Sequence, residues 1–157
     1  MSRLLVDIGN TRVKGASWSA GELAPQCAAE HAEWSAKDWQ RELFAGTQVG
    51  RVLAATVAGA ASKDALRAAA AASGVQDVAF VTSTASACGV TNAYPQPALL
   101  GVDRWMALIG AWHQQRSACC VVDIGTAATV DAIDRGGRHL GGFIVPGPRL
   151  MVDSLLH

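Results

Sequence analysis

The tetrapeptide Val-Asp-Ile-Gly occurs twice, at positions 6–9 in LLVDIGNTRVKG and at positions 122–125 in CCVVDIGTAATVDA. Each copy follows an apolar run. Each is followed by Asn, Thr or Ala and then by more apolar residues. That pattern predicts a buried strand, a turn at the glycine and a return strand, with a carboxylate near the tip. A short chain that builds this unit twice is constrained to two related hairpins, and the rest of the fold must accommodate both.

The turn chemistry suits an anion. A Gly- and Thr-rich hairpin turn directs backbone N–H groups outward, and Gly9 allows close approach because it lacks a Cβ. Asn10 and Thr11 add side-chain donors, and Lys14 adds positive charge on the return strand. Asp7 repels a phosphate directly. It fits only if a divalent cation lies between carboxylate and phosphate, directly or through water. One such turn is a weak signal and reads more readily as ordinary structure. Two of them, facing each other across a cleft, would grip a polyphosphate from both sides.

Between the copies the periodicity alternates. A hairpin return, RVKGASWS, leads to a turn at AGEL. A helix is expected from His31 to Ala45, capped by Ser35 and anchored by Trp34, Trp39 and Phe44. RVLAATVA reads as a strand and SKDALRAAAAAS as a helix capped by Ser62, with Gly74 just past its end. DVAFVTS reads as a strand, and Thr84 to Leu100 as a loop. Val102 to Gln115 reads as a helix, with Trp105 and Trp112 as core or dimer contacts. The strands ACCVVDIG, ATVDAID and RHLGGFIVPG follow. A last helix, PRLMVDSLLH, opens at Pro148.

Lys and Arg balance Asp and Glu at 13 each in 157 residues. Zero net charge points away from nucleic acid and anionic membranes as partners. No apolar run reaches the ~20 residues of a membrane span, and no secretory signal is visible. Cys27, Cys88, Cys119 and Cys120 form no CxxC pair and are expected as buried, reduced thiols of a cytoplasmic protein. The four histidines show no metal-ligand spacing.

Four stretches carry a resemblance: DIGNTRVK (7–14), YPQPALLGVDRW (94–105), DIGTAATVDAI (123–133) and GGFIVPGPRLM (141–151). In order and spacing they resemble the type III pantothenate kinases, a family that includes proteins called Bvg accessory factors. The resemblance implies an α/β fold with the ribonuclease-H-like, actin-like ATPase architecture in duplicate. Residues 1–116 would form the first domain, and 117–157 the start of a second, truncated one. It further implies transfer of the γ-phosphoryl group of ATP to pantothenate, the first step of coenzyme A synthesis. A cytoplasmic homodimer would need Mg2+ or another divalent cation, with K+ or NH4+.

By the same resemblance, Asp7, Ile8, Gly9, Asn10, Thr11, Arg12, Val13 and Lys14 look like the first phosphate loop. Asp103 matches the catalytic proton acceptor. Tyr94, Gly101, Val102 and Arg104 match pantothenate contacts, Asp123 the monovalent-cation ligand, and Thr126 an ATP contact. The residue chemistry agrees, because a guanidinium suits a two-pronged grip on the pantothenate carboxylate. Taken alone, Asp103 also reads as a carboxylate stabilising a helix N-terminus. Two departures stand out. Ala128 replaces a threonine common in relatives, and family members continue past the Pro-Gly motif, so a truncated chain would expose apolar surface and show weak activity. The alternatives are an accessory protein of the same fold acting by partner binding, or another small-molecule kinase of the superfamily.

Overall fold

The computed structural model describes residues 2–46 and 48–156. The chain packs as two compact units that divide between Val81 and Thr82. The sequence-based boundary at 116/117 falls inside the second unit, between a helix and the second Val-Asp-Ile-Gly strand. His157, expected at the end of the last helix, lies outside the described residues.

The first unit contains β1 (Ser2–Ile8), β2 (Arg12–Ser19), β3 (Glu22–Glu30), α1 (Ala36–Phe44), β4 (Val49–Thr56), α2 (Ala60–Ala72) and β5 (Val78–Phe80). The sheet order is β3-β2-β1-β4-β5. The first three strands run antiparallel, and β4 and β5 join parallel to β1. This is the ribonuclease-H-like arrangement. It follows from chain connection: tight turns join the antiparallel strands, while each parallel addition uses a helical crossover. Leu4, Val6 and Ile8 alternate onto one face of β1. There they pack with Val13, Val52 and Ala54 against Trp39 and Leu43 of α1 and Leu66, Ala69 and Ala70 of α2.

Three local features depart from or refine the sequence reading. β3 was not foreseen, because its residues are mostly exposed and lack apolar alternation. Its Pro25 sits on an edge strand, opposite a register shift at Gly15/Ala16, where a missing N–H is tolerated. Helix α2 starts early, with its N-cap at Gly59, three residues before the expected Ser62, so Ser62 lies inside the helix rather than capping it. Among the cysteines, Cys88 and Cys120 are exposed rather than buried, and all four are free thiols.

Ser35 caps α1 as expected, in a reciprocal box with Asp38. Hydrogen bonds from the Ser35 hydroxyl and backbone N–H, at 2.6 and 2.9 Å, hold the Asp38 carboxyl below its ordinary range. Ser35→Ala is expected to cost about 1 kcal/mol at neutral pH. A lowered carboxyl contributes its stability above the unfolded value, about pH 4, and loses it as pH falls through the folded value. The difference between wild type and variant should therefore narrow in acid, as urea unfolding across a pH series would show.

The second unit contains β6 (Ser86–Ala87), β7 (Val90–Thr91), a 3-10 turn at Pro97–Leu99, α3 (Val102–Gln115), β8 (Cys119–Ile124), β9 (Ala127–Ile133), β10 (His139–Pro146) and α4 (Pro148–Leu156). Strands β8, β9 and β10 form an antiparallel meander in the order β10-β9-β8. This repeats the β3-β2-β1 meander of the first unit, and each copy of Val-Asp-Ile closes its first strand. Trp105, Leu108, Ile109 and Trp112 of α3 form a core with Val90, Leu100 and Ile133. Among the described residues, no helix is long and apolar enough to cross a membrane.

Candidate functional site

The two Asp-x-Gly turns share a sequence but not a length. Gly9, Asn10 and Thr11 connect β1 to β2, whereas only Gly125 and Thr126 connect β8 to β9. In both, the glycine amide is committed to the turn itself: Gly9 N–H donates to the Arg12 carbonyl at 2.9 Å, and Gly125 N–H to the Ala127 carbonyl at 2.8 Å.

In the first unit, Asp7 lies directly across the ladder from Lys14, with a long, exposed ion pair of 3.9 Å between them. Such a pair contributes little to stability. Ile8 and Val13 are fully buried, so only their backbone faces the turn's surroundings. Asn10 is exposed and Thr11 half-buried. Arg12 is exposed and donates to the Ala28 carbonyl at 2.9 Å. Sequence reasoning missed His31, whose Nε2 donates to the Gly9 carbonyl at 2.9 Å. Its backbone N–H also donates to the Thr11 carbonyl, so β3 leads into a brace on this turn.

In the second unit, β9 places Thr129, Asp131 and Ile133 on the buried face toward α3. Asp123 pairs in register with Thr129 and therefore shares that face, at the exposed end of β8. Thr126 forms the exposed turn beside it. Helix α3 starts at Gly101, which gives it no side-chain cap. Asp103 and Arg104 thus stand in a first turn whose leading amides lack such a partner. Asp103 Oδ1 accepts the Arg104 backbone N–H at 2.8 Å.

Arg104 has its first partner within the chain. Its Nε and Nη2 donate to the two oxygens of Asp131 at 2.7 and 2.6 Å. Both side chains are nearly buried. The hydrogen bonds to Asp131, with a further one to Tyr94, hold the guanidinium's pKa above its ordinary value. Asp131 also accepts from His139 Nε2 at 2.9 Å. The His139 Nδ1 accepts the Ala93 N–H at 3.4 Å, which assigns the proton to Nε2. The Tyr94 ring stacks on His139 with an interplanar angle of 8°. Arg104, Asp131, His139 and Tyr94 therefore close a ring of contacts. Beside it lies a cleft of about 330 Å3, lined by Thr91, Asn92, Ala93, Arg138, His139 and Leu140.

Local backbone features explain how the ring forms. Cys88 and Gly89, both at positive φ, turn β6 back into β7. Thr91 N–H then bonds the Gly137 carbonyl, docking the Tyr94 loop beside β10. Asn92 Oδ1 accepts the Tyr94 N–H at 3.0 Å and shapes that loop. On β10, His139 pairs with Ile133 but Gly141 with Ala132, so Leu140 is an extra residue. Residues three apart on a regular strand point to opposite faces. The bulge, with Gly141 at φ +116, puts both His139 and Gly142 on the Asp131 face.

Gly142 itself leaves room for the Asp131 carboxylate, since a Cβ there would overlap it and the Val130 carbonyl. Gly147 likewise allows the chain to pass against the Gly125 and Thr126 backbone. Its N–H donates to the Thr126 carbonyl at 2.9 Å. In the GGFIVPG stretch, Gly142 thus makes room for Asp131, and the Gly147 that follows Pro146 makes room for the Gly125–Thr126 turn.

Comparison with known proteins agrees with these motifs. The model of the type III pantothenate kinase family matches residues 3–157. A type III pantothenate kinase of Halorhodospira halophila is 40% identical over 160 residues, covering 98% of this chain and 63% of that protein. One from Aromatoleum aromaticum is 43% identical over 158 residues, covering 97% and 62%. One from Nitrosospira multiformis is 41% identical over 158 residues, covering 98% and 57%. The chain thus spans less than two thirds of the length of these relatives.

Among solved structures, the ethanolamine utilization protein EutJ of Carboxydothermus hydrogenoformans superposes with a TM-score of 0.52 at 14% identity. That match covers 94% of this chain and 52% of EutJ. The type II variant of the Aquifex aeolicus Ppx/GppA phosphatase gives 0.51 at 12% identity, covering 98% and 55%. At such identities the likeness shows the fold alone, that of the actin-like ATPases.

Proposed function

The chain belongs to the type III pantothenate kinase family, and from that membership we propose that it carries the pantothenate-binding and phosphate-binding parts of an ATP-dependent pantothenate kinase. The observation that supports this best is the convergence on Arg104. Asp103, Arg104 and Tyr94 come from one family motif, Asp131 from the next, and His139 lies two residues ahead of the last. Arg104, Asp131, His139 and Tyr94 meet in one ring of hydrogen bonds and stacking, and Asp103 adjoins it through the Arg104 backbone N–H.

In this reading the pantothenate carboxylate binds at Arg104 and Tyr94. A guanidinium has five N–H donors. Two are committed to Asp131 and one to Tyr94, and the remaining ones serve the substrate. Gly101 and Val102 contribute backbone at the start of α3. Val102 is buried, so its side chain belongs to the core. Asp103 orients the attacking hydroxyl and accepts its proton. The proton leaves late in a loose phosphoryl-transfer transition state, so placement and charge matter more than basicity.

The turn at Asp7–Lys14 takes the nucleotide phosphates, and Thr126 makes a further ATP contact. We assign Mg2+, or another divalent cation, to Asp7, and K+ or NH4+ to Asp123. The donor chemistry fits, because carboxylate oxygens are hard ligands. Among the described residues no cluster of three or more His, Cys, Asp or Glu could hold a metal ion by itself. That suits Mg2+ shared with phosphates, where it would neutralise charge on the transferring group. We also assign a cytoplasmic homodimer, and a repeat boundary at 116/117, where the second meander starts.

The test is calorimetric binding of pantothenate to the full chain, alongside ADP release with ATP, Mg2+, K+ and pantothenate. Pantothenate binding with pantothenate-dependent ADP release supports the assignment. Neither signal, or ADP release indifferent to pantothenate, overturns it.

A further inference from the structure

Asp131 and His139 have no part in the phosphoryl transfer just described, yet they are among the most buried polar side chains of the second unit. Burying charged and polar groups is costly unless their partners are in place. Here each partner is. Asp131 takes a two-pronged hydrogen bond from Arg104 and a third from His139. His139 is in turn fixed at its other nitrogen by the Ala93 N–H and covered by the Tyr94 ring.

A single carboxylate thus sets the Arg104 guanidinium plane. Through one imidazole, it also sets the backbone and ring of the Tyr94 loop. The bulge at Leu140–Gly141 and the open space at Gly142 serve the same pair, one turning His139 inward and the other admitting the carboxylate.

We propose that Asp131 and His139 are positioning residues for the pantothenate site, fixing Arg104 and Tyr94 relative to each other so that they meet the substrate's carboxylate end together. This rests on the reading that Arg104 and Tyr94 contact pantothenate. Asp131 acts on Arg104 directly. His139 acts on both, by donating to Asp131 and by supporting the Tyr94 loop. Neither touches the reacting atoms, so their loss should be felt in pantothenate affinity and not in ATP affinity.

Calorimetric titration of the full chain with pantothenate, and separately with ATP, tests this. Asp131→Asn keeps the shape but withdraws the charge and one acceptor facing Arg104. It should weaken pantothenate binding about 10- to 100-fold, the scale of a small misplacement, and leave ATP affinity unchanged. If Asp131→Asn does not fold, His139 carries the test. His139→Ala should weaken pantothenate binding alone, and His139→Gln, which retains a donor toward Asp131, should restore most of it. Unchanged pantothenate affinity, or equal loss for both ligands, overturns the positioning role while leaving the kinase assignment standing. Failure of the wild-type chain to bind pantothenate at all overturns both.

Discussion

Replacing Asp103 with asparagine is expected to lower pantothenate-dependent ATP turnover by about 10²- to 10⁴-fold, the usual contribution of a positioned proton acceptor. The substitution is conservative for the fold. An asparagine oxygen can still accept the Arg104 backbone N–H that Asp103 Oδ1 accepts at 2.8 Å. The helix start, with Trp105 N–H bonded to the Gly101 carbonyl, needs no charge at this position. What disappears is the negative charge and the ability to take a proton.

Two readings of Asp103 therefore separate cleanly. A carboxylate that merely complements the helix dipole contributes about 0.3–1 kcal/mol of stability, and its loss would shift unfolding slightly without touching turnover. A proton acceptor gives the opposite pattern: kcat collapses while the unfolding midpoint and the affinity for pantothenate stay near wild type. Steady-state kinetics and thermal unfolding on the same preparation distinguish the two. A loss of turnover below about tenfold would remove Asp103 from the chemistry.

The twin Val-Asp-Ile-Gly motif makes the duplicated hairpin legible, because an apolar run ending in a Gly turn and followed by more apolar residues has few other solutions. Helix α3 was equally readable, since its Trp and Leu positions repeat on one face and its bounds agree with those expected. The ring around Arg104 was not. Asp131 carries no motif role of its own in the sequence. The available signal was its phase: Thr129, Asp131 and Ile133 share the buried face, and a carboxylate in phase with core positions implies a buried cation. His139 was out of reach by spacing alone, because its inward direction depends on a bulge that shifts the strand by one residue. The same limit applies to β3, an edge strand whose exposed side chains leave no periodicity to read. The sequence reading gives Arg104 a ligand and no partner within the chain, whereas the fold pairs it with Asp131.

Asp131→Ala is expected to destabilise the fold by about 3–5 kcal/mol, because it leaves the Arg104 guanidinium in a nearly dry site without its carboxylate. The partner substitution reverses the expectation. Replacing both members with apolar residues of similar size, as in Arg104→Met with Asp131→Leu, removes the uncompensated charge and should recover most of that loss. His139 would lose its acceptor in either background, so recovery should fall short of complete, by about the 1–3 kcal/mol of one unsatisfied buried donor. Guanidinium unfolding of the single and double variants gives the comparison. A buried ion pair that can be exchanged for hydrocarbon at little net cost is not retained for stability. If the double variant folds well, the pair adds little net stability, and its service to the ligand is read from Asp131→Asn, in which Arg104 is kept: weakened pantothenate binding there means that the carboxylate holds Arg104 in one orientation. If the double variant is as unstable as Asp131→Ala alone, the carboxylate is an irreplaceable part of the second unit's core, and its link to the substrate site is incidental.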